Sequence, residues 1–168
     1  KIISKDLDTS TNYGGVLISK DAKKLVLEGV EFANCGQASS GLGCVHVHDT
    51  HFQSNNGFVK QSSFSGYGIG VQIHESSGVV FSENILFDMK DFGMHLKDSS
   101  SIKIDSNIIL GVSSINSESR SSQSILSGSG IVYDNRASLK ETETFITNNI
   151  VGSCELFGFV VPGRDCES

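Results

Sequence analysis

The stretch "SGVVFSENILFDMKDFGMHLKDSSSIKIDSNIILG", residues 77–111, contains one phrase twice. Residues 80–87 read VFSENILF, and residues 103–110 read KIDSNIIL. An Asn therefore precedes an apolar run in both copies, first as Asn84 and then as Asn107, 23 positions later. Each copy is short, rich in β-branched and aromatic residues, and bounded by Gly, Ser or Asp, which is the pattern of a β-strand between turns.

The same anchor position recurs outside this stretch. Ser63 stands 21 residues before Asn84, and Asn149 follows Asn107 after 42 residues, which is about one repeat plus an insertion. Self-similarity at about 20–25 residues indicates a solenoid, because each unit cannot cover its own apolar face. The short β units, and the lack of a Leu-x-x-Leu-x-Leu frame, favour a parallel β-helix. We therefore predict an all-β, right-handed parallel β-helix of about five to six rungs.

The recurring Asn has two predicted roles in such a coil. Asn tolerates the left-handed backbone conformation that a sharp corner needs. Stacked side-chain amides also bond to one another along a ladder. Asn84, Asn107 and Asn149 are thus predicted to form a structural ladder; the alternative is an ordinary turn Asn before each strand.

We expect residues 1–168 to form a single β-helix domain, and to be a fragment of a longer chain because the repeat pattern is already under way at Lys1. Two polar excursions, about 34–56 and 112–129, are predicted as loop insertions. Insertions into solenoids usually lie on one face, and that face often binds a partner.

Composition narrows the classes of function. Gly occurs 18 times and Pro once, which suits many tight turns between short strands. The net charge is −6, and the 13 Lys and Arg residues are scattered along the chain, so we predict no nucleic-acid partner. No run approaches the roughly 18 consecutive apolar residues of a membrane-spanning helix.

The four cysteines are separated in two pairs. Cys35 and Cys44 are 9 residues apart, and Cys154 and Cys166 are 12 apart, so each pair could close a local disulfide loop. Disulfides would place the protein in an oxidising compartment. The alternative is four buried thiols in a cytosolic protein; neither pair has the C-x-x-C spacing of a zinc or redox site.

The histidines of "CVHVHDTH", residues 44–51, are the first candidates for chemistry. His46 and His48 alternate along a predicted strand, so both face the same side. Two such imidazoles could hold a metal ion, completed by Asp49 or by His51, or act as an acid and base on a sugar. A structural or surface role is the alternative. No other cofactor is indicated; a divalent metal ion is the one candidate.

Two further sets of polar residues are weaker candidates. His74 and His95 are expected to stack at equivalent positions of successive rungs, as a polar corner or a ligand pair. β-Helices that act on carbohydrate use carboxylates on a strand face as acid and base. No pair here has a spacing that singles it out from the four candidates, which are Glu83, Asp88, Asp91 and Asp105.

Several phrases resemble the β-helix region of fibrocystin and fibrocystin-like proteins. They are "LEGVEFANCGQ" (27–37), "CVHVHD" (44–49), the run 64–98, and "NNIVGSCELFGFVVPGRDC" (148–166). The related cell-surface hyaluronidase and the cell-migration-inducing hyaluronan-binding protein share this region. The order and spacing of the four phrases together carry the resemblance, which covers about residues 2 to 166.

The resemblance implies two functions. The fibrocystin-like branch implies a structural or adhesive module at an extracellular, cell or ciliary surface, whose partners are other domains of the same large protein, neighbouring surface proteins or glycans. The hyaluronidase-like branch implies degradation or binding of a hyaluronan-type polysaccharide. That branch carries a Tyr-Pro-Ile-His-Phe-His phrase, which His46 and His48 match, and a later Val-His, which His74 matches. These three histidines are the candidate catalytic residues, although Gly43 and Cys44 replace the Tyr-Pro.

Overall fold

The computed structural model describes residues 2–3, 13–53, 56–115, 125–134 and 144–161. Within these residues, 17 strands form three sheets whose paired strands are all parallel. Each full coil passes from sheet 2 to sheet 3 and then to sheet 1. This is a parallel β-helix, as predicted. In the same residues no helix is long and apolar enough to cross a bilayer.

The strands are distributed evenly among the sheets. Sheet 1 contains β1 (Ile2–Ile3), β4 (Glu31–Cys35), β7 (Ser63–Gly66), β10 (Ile85–Lys90), β13 (Ile108–Ser113) and β16 (Ile150–Cys154). Sheet 2 contains β2 (Leu17–Lys20), β5 (Val45–His48), β8 (Val71–His74), β11 (Phe92–Lys97), β14 (Ser129–Asp134) and β17 (Phe159–Val160). Sheet 3 contains β3 (Leu25–Glu28), β6 (Gly57–Lys60), β9 (Val80–Ser82), β12 (Lys103–Asp105) and β15 (Phe145–Thr147).

The core is a set of inward-facing columns, one residue per coil. In sheet 1 the column that begins at Phe32 and Phe64 continues through Leu86 and Ile109. The rings of Phe32 and Phe64 are stacked, with centroids 4.8 Å apart and planes 7° from parallel. Because apolar residues at equivalent positions of successive coils stack on one another, every coil covers the apolar face of the coil before it.

The predicted Asn ladder is present at the corner between sheet 3 and sheet 1. The Asn107 side-chain oxygen accepts from the Asn84 backbone N–H (2.9 Å) and from the Asn84 Nδ2 (3.0 Å). Asn149 accepts the equivalent pair of bonds from Asn107. Asn84 and Asn107 are 1% and 0% exposed, so these amides satisfy backbone groups that water does not reach.

Two details of the predicted ladder are wrong. The ladder begins at Ser62, whose N–H donates to Asn84 Oδ1, whereas Ser63 is one residue out of register and pairs with Ile85. The Asn residues are also not left-handed. The positive φ falls on the residue before each, for example 57° at Glu83 and 57° at Ser106. The preceding residue therefore turns the corner, and the Asn side chain ties successive corners together.

A second ladder, made of hydroxyl groups, lies at the corner between sheet 2 and sheet 3. The hydroxyl of Ser76 accepts from the Thr50 N–H, and the hydroxyl of Ser99 accepts from the Ser76 N–H, both at 3.1 Å. An acidic residue with positive φ precedes each rung, as Asp49 (49°) and Glu75 (48°) do. The two ladders together fix two of the three corners.

The third corner, between sheet 1 and sheet 2, is narrow because it is built on glycine. A Cβ on Gly93 would lie 2.6 Å from the Gly130 carbonyl oxygen and 2.7 Å from Ile109 Cγ2. Gly70 stands in the same relation to Gly93, with a Cβ position 2.5 Å from the Gly93 carbonyl oxygen. The column therefore permits close approach of successive coils at a place where any side chain would clash.

The first predicted insertion is shorter than 34–56, because Val45–His48 within it form β5, a regular strand of sheet 2. Cys35 and Cys44 form a disulfide across the third corner, around a 3-10 turn at Ala38–Ser40. Cys154 lies in β16, and its predicted partner Cys166 is outside the described residues, so that pair stays a prediction. Much of the second insertion, 116–124, is also outside them.

Replacing Asn107 by alanine should lower the free energy of unfolding by about 2–4 kcal/mol. The change leaves the buried Asn84 N–H and the Phe81 carbonyl without their partners. Urea unfolding followed by circular dichroism measures the loss. The control is Asn148→Gly, which removes a surface bond to Asp105 and suits the positive φ of 56°; it should stay within about 0.5 kcal/mol of wild type. Equal stability of Asn107→Ala and wild type would contradict the ladder.

Candidate functional site

The outer face of sheet 2 presents the predicted histidines. In β5 and β8 buried and partly exposed residues alternate, so Val45 and Val47 point into the core and His46 and His48 point outward. β8 repeats the pattern, with His74 on the same outer face. The strand geometry thus fixes all three imidazoles on one surface.

Register then brings the three histidines together. His48 pairs with His74 in the neighbouring strand, and their ring centroids are 4.9 Å apart. His46 lies two residues before His48, with its ring 5.8 Å away. One nitrogen from each of the three rings lies within 4.8 Å of the others. We call these three residues the histidine cluster.

Asp49 does not join this cluster. It lies at the corner that follows β5, where its φ is positive and its side chain is exposed. His51 is also elsewhere, since its Nδ1 lies 2.9 Å from the Ser77 hydroxyl. The set of His46, His48 and Asp49 proposed from sequence is therefore replaced by one in which His74 takes the third place.

The cluster and its neighbour Gln72 contain buried polar atoms that lack protein partners within the described residues. They are Nδ1 and Nε2 of His46, Nδ1 of His48, and Oε1 of Gln72. Gln72 is the cross-strand neighbour of His46, so its amide oxygen belongs to the same group. Buried polar groups without partners are rare and call for an explanation. Sequence reasoning missed Gln72, because an isolated Gln has no motif.

His46 is uncharged at neutral pH. Burial, with a smaller contribution from repulsion by His48 and His74, lowers the pKa of His46 to about 4. A neutral imidazole keeps a lone pair on one nitrogen, as a ligand or a general base requires. Beside it, His74 Nε2 lies 3.7 Å from the Glu75 carboxylate.

His74 and His95 do not stack as expected. His95 pairs with Gln72, and the partner of His74 in β11 is Lys97, so the two histidines lie two residues out of register. The ring of His95 rests against Phe92, with centroids 4.8 Å apart. His95 therefore flanks the cluster without entering it.

A comparison with protein families gives one match. The family described as "right handed beta helix region" matches residues 4–167.

The chain belongs to the right-handed β-helix family.

This match also supplies the handedness predicted from the sequence. Searches of curated proteins and of solved structures found nothing similar.

The carboxylates proposed for catalysis are dispersed in this right-handed β-helix. Asp105 is partly exposed, and hydrogen bonds from Thr147 and Asn148 lower its pKa, which suits an ionised group and not a proton donor. Glu83 accepts a bond from Gln61. Asp91 is buried at the third corner, with a φ of 81°.

One acidic cleft was not predicted from sequence. It is a shallow cavity of about 540 Å³ beside β10, β13 and β16, lined in part by Asp88, Lys90 and Glu155. Lys90 lies 3.5 Å from Asp88. The pKa of Glu155 is lowered, chiefly by the bond that its carboxylate accepts from the Ser114 N–H. Asp88 was a sequence candidate; Glu155 lies in a bend after β16 that has no distinguishing pattern.

The stability of this right-handed β-helix should fall between pH 7 and pH 5, in part through His95. Burial lowers its pKa from 6.5 to about 4, against the opposing effect of Asp134. Between these values the unfolded chain binds more protons, so stability is complete above pH 6.5 and is lost as the pH falls towards 4. His95→Gln should reduce the loss by on the order of 1–2 kcal/mol.

Urea unfolding at pH 7, 6 and 5 measures this dependence. His51→Gln is the matched control, because that histidine is exposed. The same loss in wild type and in His95→Gln would show that His95 does not contribute.

Proposed function

We propose that this right-handed β-helix is a structural and binding module of a fibrocystin-like protein at an extracellular, cell or ciliary surface. Its partners are other domains of the same large protein or neighbouring surface proteins. Catalysis is not part of this proposal. The observation that carries it is an apolar surface on the outside of sheet 1.

This apolar face consists of five large side chains on three adjacent strands. Ile85 and Phe87 in β10 are each 46% exposed, Leu110 in β13 is 43% exposed, and Ile150 in β16 is 62% exposed. Ile108 lies between Ile85 and Ile150 in the parallel register. Exposed hydrophobic residues scattered singly are ordinary, whereas a contiguous group marks an interaction surface.

The strands under this face are apolar on both sides. In β13, Ile109 is fully buried in the core while Ile108 and Leu110 point outward. β10 repeats this arrangement with Leu86 buried between Ile85 and Phe87. Parallel strands that are apolar on both faces are usually covered on both. The outer cover is therefore expected from another protein surface.

Two further observations support the cellular location in the proposal. The Cys35–Cys44 disulfide is of the kind that persists in oxidising compartments. The phrases that resemble fibrocystin-like proteins include β10 and β16, two of the three strands that carry the apolar face. Family membership in the right-handed β-helices is compatible with this location and does not specify it.

The uncovered apolar face should make the isolated chain associate with itself at high concentration. In Phe87→Ser/Leu110→Ser the dissociation constant should rise at least tenfold, because the change removes about 1.5–3 kcal/mol of burial for each side chain. Sedimentation velocity over a concentration series measures it.

The control is Ile125→Ser, which alters a side chain that is 90% exposed and lies outside the apolar face. It should associate like wild type. Association that is unchanged in the double variant would point to the open strand edges at the ends of the coil instead and would contradict the role of this face.

A second candidate function is binding or degradation of a hyaluronan-type polysaccharide. The histidine cluster favours it, because the neutral His46 is available as a base and two more imidazoles lie beside it. The three histidines are also the positions that match the hyaluronidase-like phrase. The dispersed carboxylates weigh against it, since acid and base catalysis on glycosides usually uses two of them.

Incubation with hyaluronan and chondroitin separates the two candidates. The module proposal predicts that the polymers keep their length, as measured by size-exclusion chromatography with light scattering. Shortening by wild type that is lost in His46→Gln/His48→Gln would support the enzyme and contradict the module proposal. His51→Gln serves as the matched histidine control.

A further inference from the structure

We propose that His46, His48 and His74 bind a divalent transition-metal ion, with Zn²⁺ as the preferred ion, on the outer face of sheet 2. This inference goes beyond the module function and does not depend on it. The three imidazoles come from two adjacent strands of a rigid sheet, so the backbone holds them in place before any ligand arrives.

The distances suit a metal after small side-chain rotations. The three nitrogens lie within 4.8 Å of one another. Around a tetrahedral ion with Zn–N bonds of about 2.0–2.1 Å, ligand nitrogens stand about 3.3 Å apart. The difference of roughly 1.5 Å lies within the reach of χ1 and χ2 changes, because the ring ends of these side chains project from the sheet and no described hydrogen bond holds His46.

The nitrogens are also available. Nδ1 and Nε2 of His46 and Nδ1 of His48 are buried and accept or donate no hydrogen bond within the described residues. A metal ion binds an imidazole through a ring nitrogen whose lone pair is not already engaged in a hydrogen bond. Buried polar atoms without hydrogen bonds are costly, and a metal ion held by the three rings would give a partner to one nitrogen of His46 and one of His48, with His74 as the third ligand.

The surroundings supply the remaining parts of a metal centre. Gln72 Oε1 lies next to His46 and has no partner among the described residues, so it can accept a bond from a water molecule at the fourth position or reach the ion itself. Glu75 lies 3.7 Å from His74 Nε2, where a carboxylate can orient the imidazole. Three histidines with one open position are a zinc arrangement, and imidazole donors favour transition metals over Ca²⁺ or Mg²⁺.

Isothermal titration of the chelator-treated 168-residue chain with Zn²⁺ tests the site. We expect one ion per chain, and a loss of affinity of at least 10- to 100-fold in His46→Gln and in His74→Gln, since even the loss of an outer-shell partner costs that much. Co²⁺ titration monitored by visible absorption should give the spectrum of a low-coordinate site in wild type and not in the two cluster variants.

The matched control is His51→Gln, which keeps the cluster and removes an exposed histidine that bonds to Ser77; it should bind like wild type. Circular dichroism and thermal melting in chelator show that each variant is folded. If His46→Gln does not fold, His74→Gln carries the test, because His74 is partly exposed. Zn²⁺ should raise the melting temperature of wild type and of His51→Gln but not of the cluster variants.

Two results would overturn the proposal. One is the absence of stoichiometric Zn²⁺ binding to wild type. The other is binding by folded His46→Gln and His74→Gln that is as tight as binding by His51→Gln, which would assign the ion to another group such as the Cys154 thiol. Neither result affects the apolar face of sheet 1, so failure here is distinct from failure of the module function.

Discussion

Stacked side-chain amides hold the register of this β-helix. A parallel coil has no hairpin turns to fix how one strand meets the next, and a slip by one residue would turn every inward side chain outward. The bonds from Asn84 to Asn107 and from Asn107 to Asn149 prevent that slip, because each amide recognises the backbone and side chain of one position only. The buried columns in all three sheets depend on this alignment.

The histidine cluster is a consequence of the same alignment. His48 and His74 are 26 positions apart, as are their corner neighbours Thr50 and Ser76, which are joined by a hydrogen bond. That bond lies two residues beyond the histidines and fixes the strand pair at the point where their side chains meet. The outer surface of sheet 1 differs in kind, because Ile85, Phe87, Ile108, Leu110 and Ile150 occupy outward positions of β10, β13 and β16. The histidine cluster and the apolar face therefore lie on different sheets of the coil.

The β-helix architecture could be predicted from the sequence, because the anchor residues recur at a regular spacing. The register of one coil on the next could be predicted only in part. Ser62 and Ser63 are chemically identical, so the anchor phrase alone could not choose between them; the alternation that buries Phe64 chooses Ser62. The prediction that His74 and His95 stack was wrong for a similar reason, because it also depended on the exact register of two coils. Gly70 stacks on Gly93, and this alignment sets Gln72 opposite His95. The glycines are needed because successive coils approach closely there, and a local sequence pattern does not show such a contact between coils. Gln72 and Glu155 could not be predicted as site residues, because each meets its neighbours, His46 and Ser114, only through the stacking of adjacent coils.

The corner residues that precede the ladder have a consequence for how this protein could be altered. Gln61, Glu83 and Ser106 adopt positive φ values of 48°, 57° and 57°, a conformation that costs an L-residue with a Cβ roughly 1 kcal/mol. Gly29, at the same place in an earlier coil, avoids that cost. Glycine at these three corner positions would remove the backbone cost, at the loss of the polar side chains that now line the outside of the corner. Thermal stability could therefore be raised one coil at a time without a change to the core.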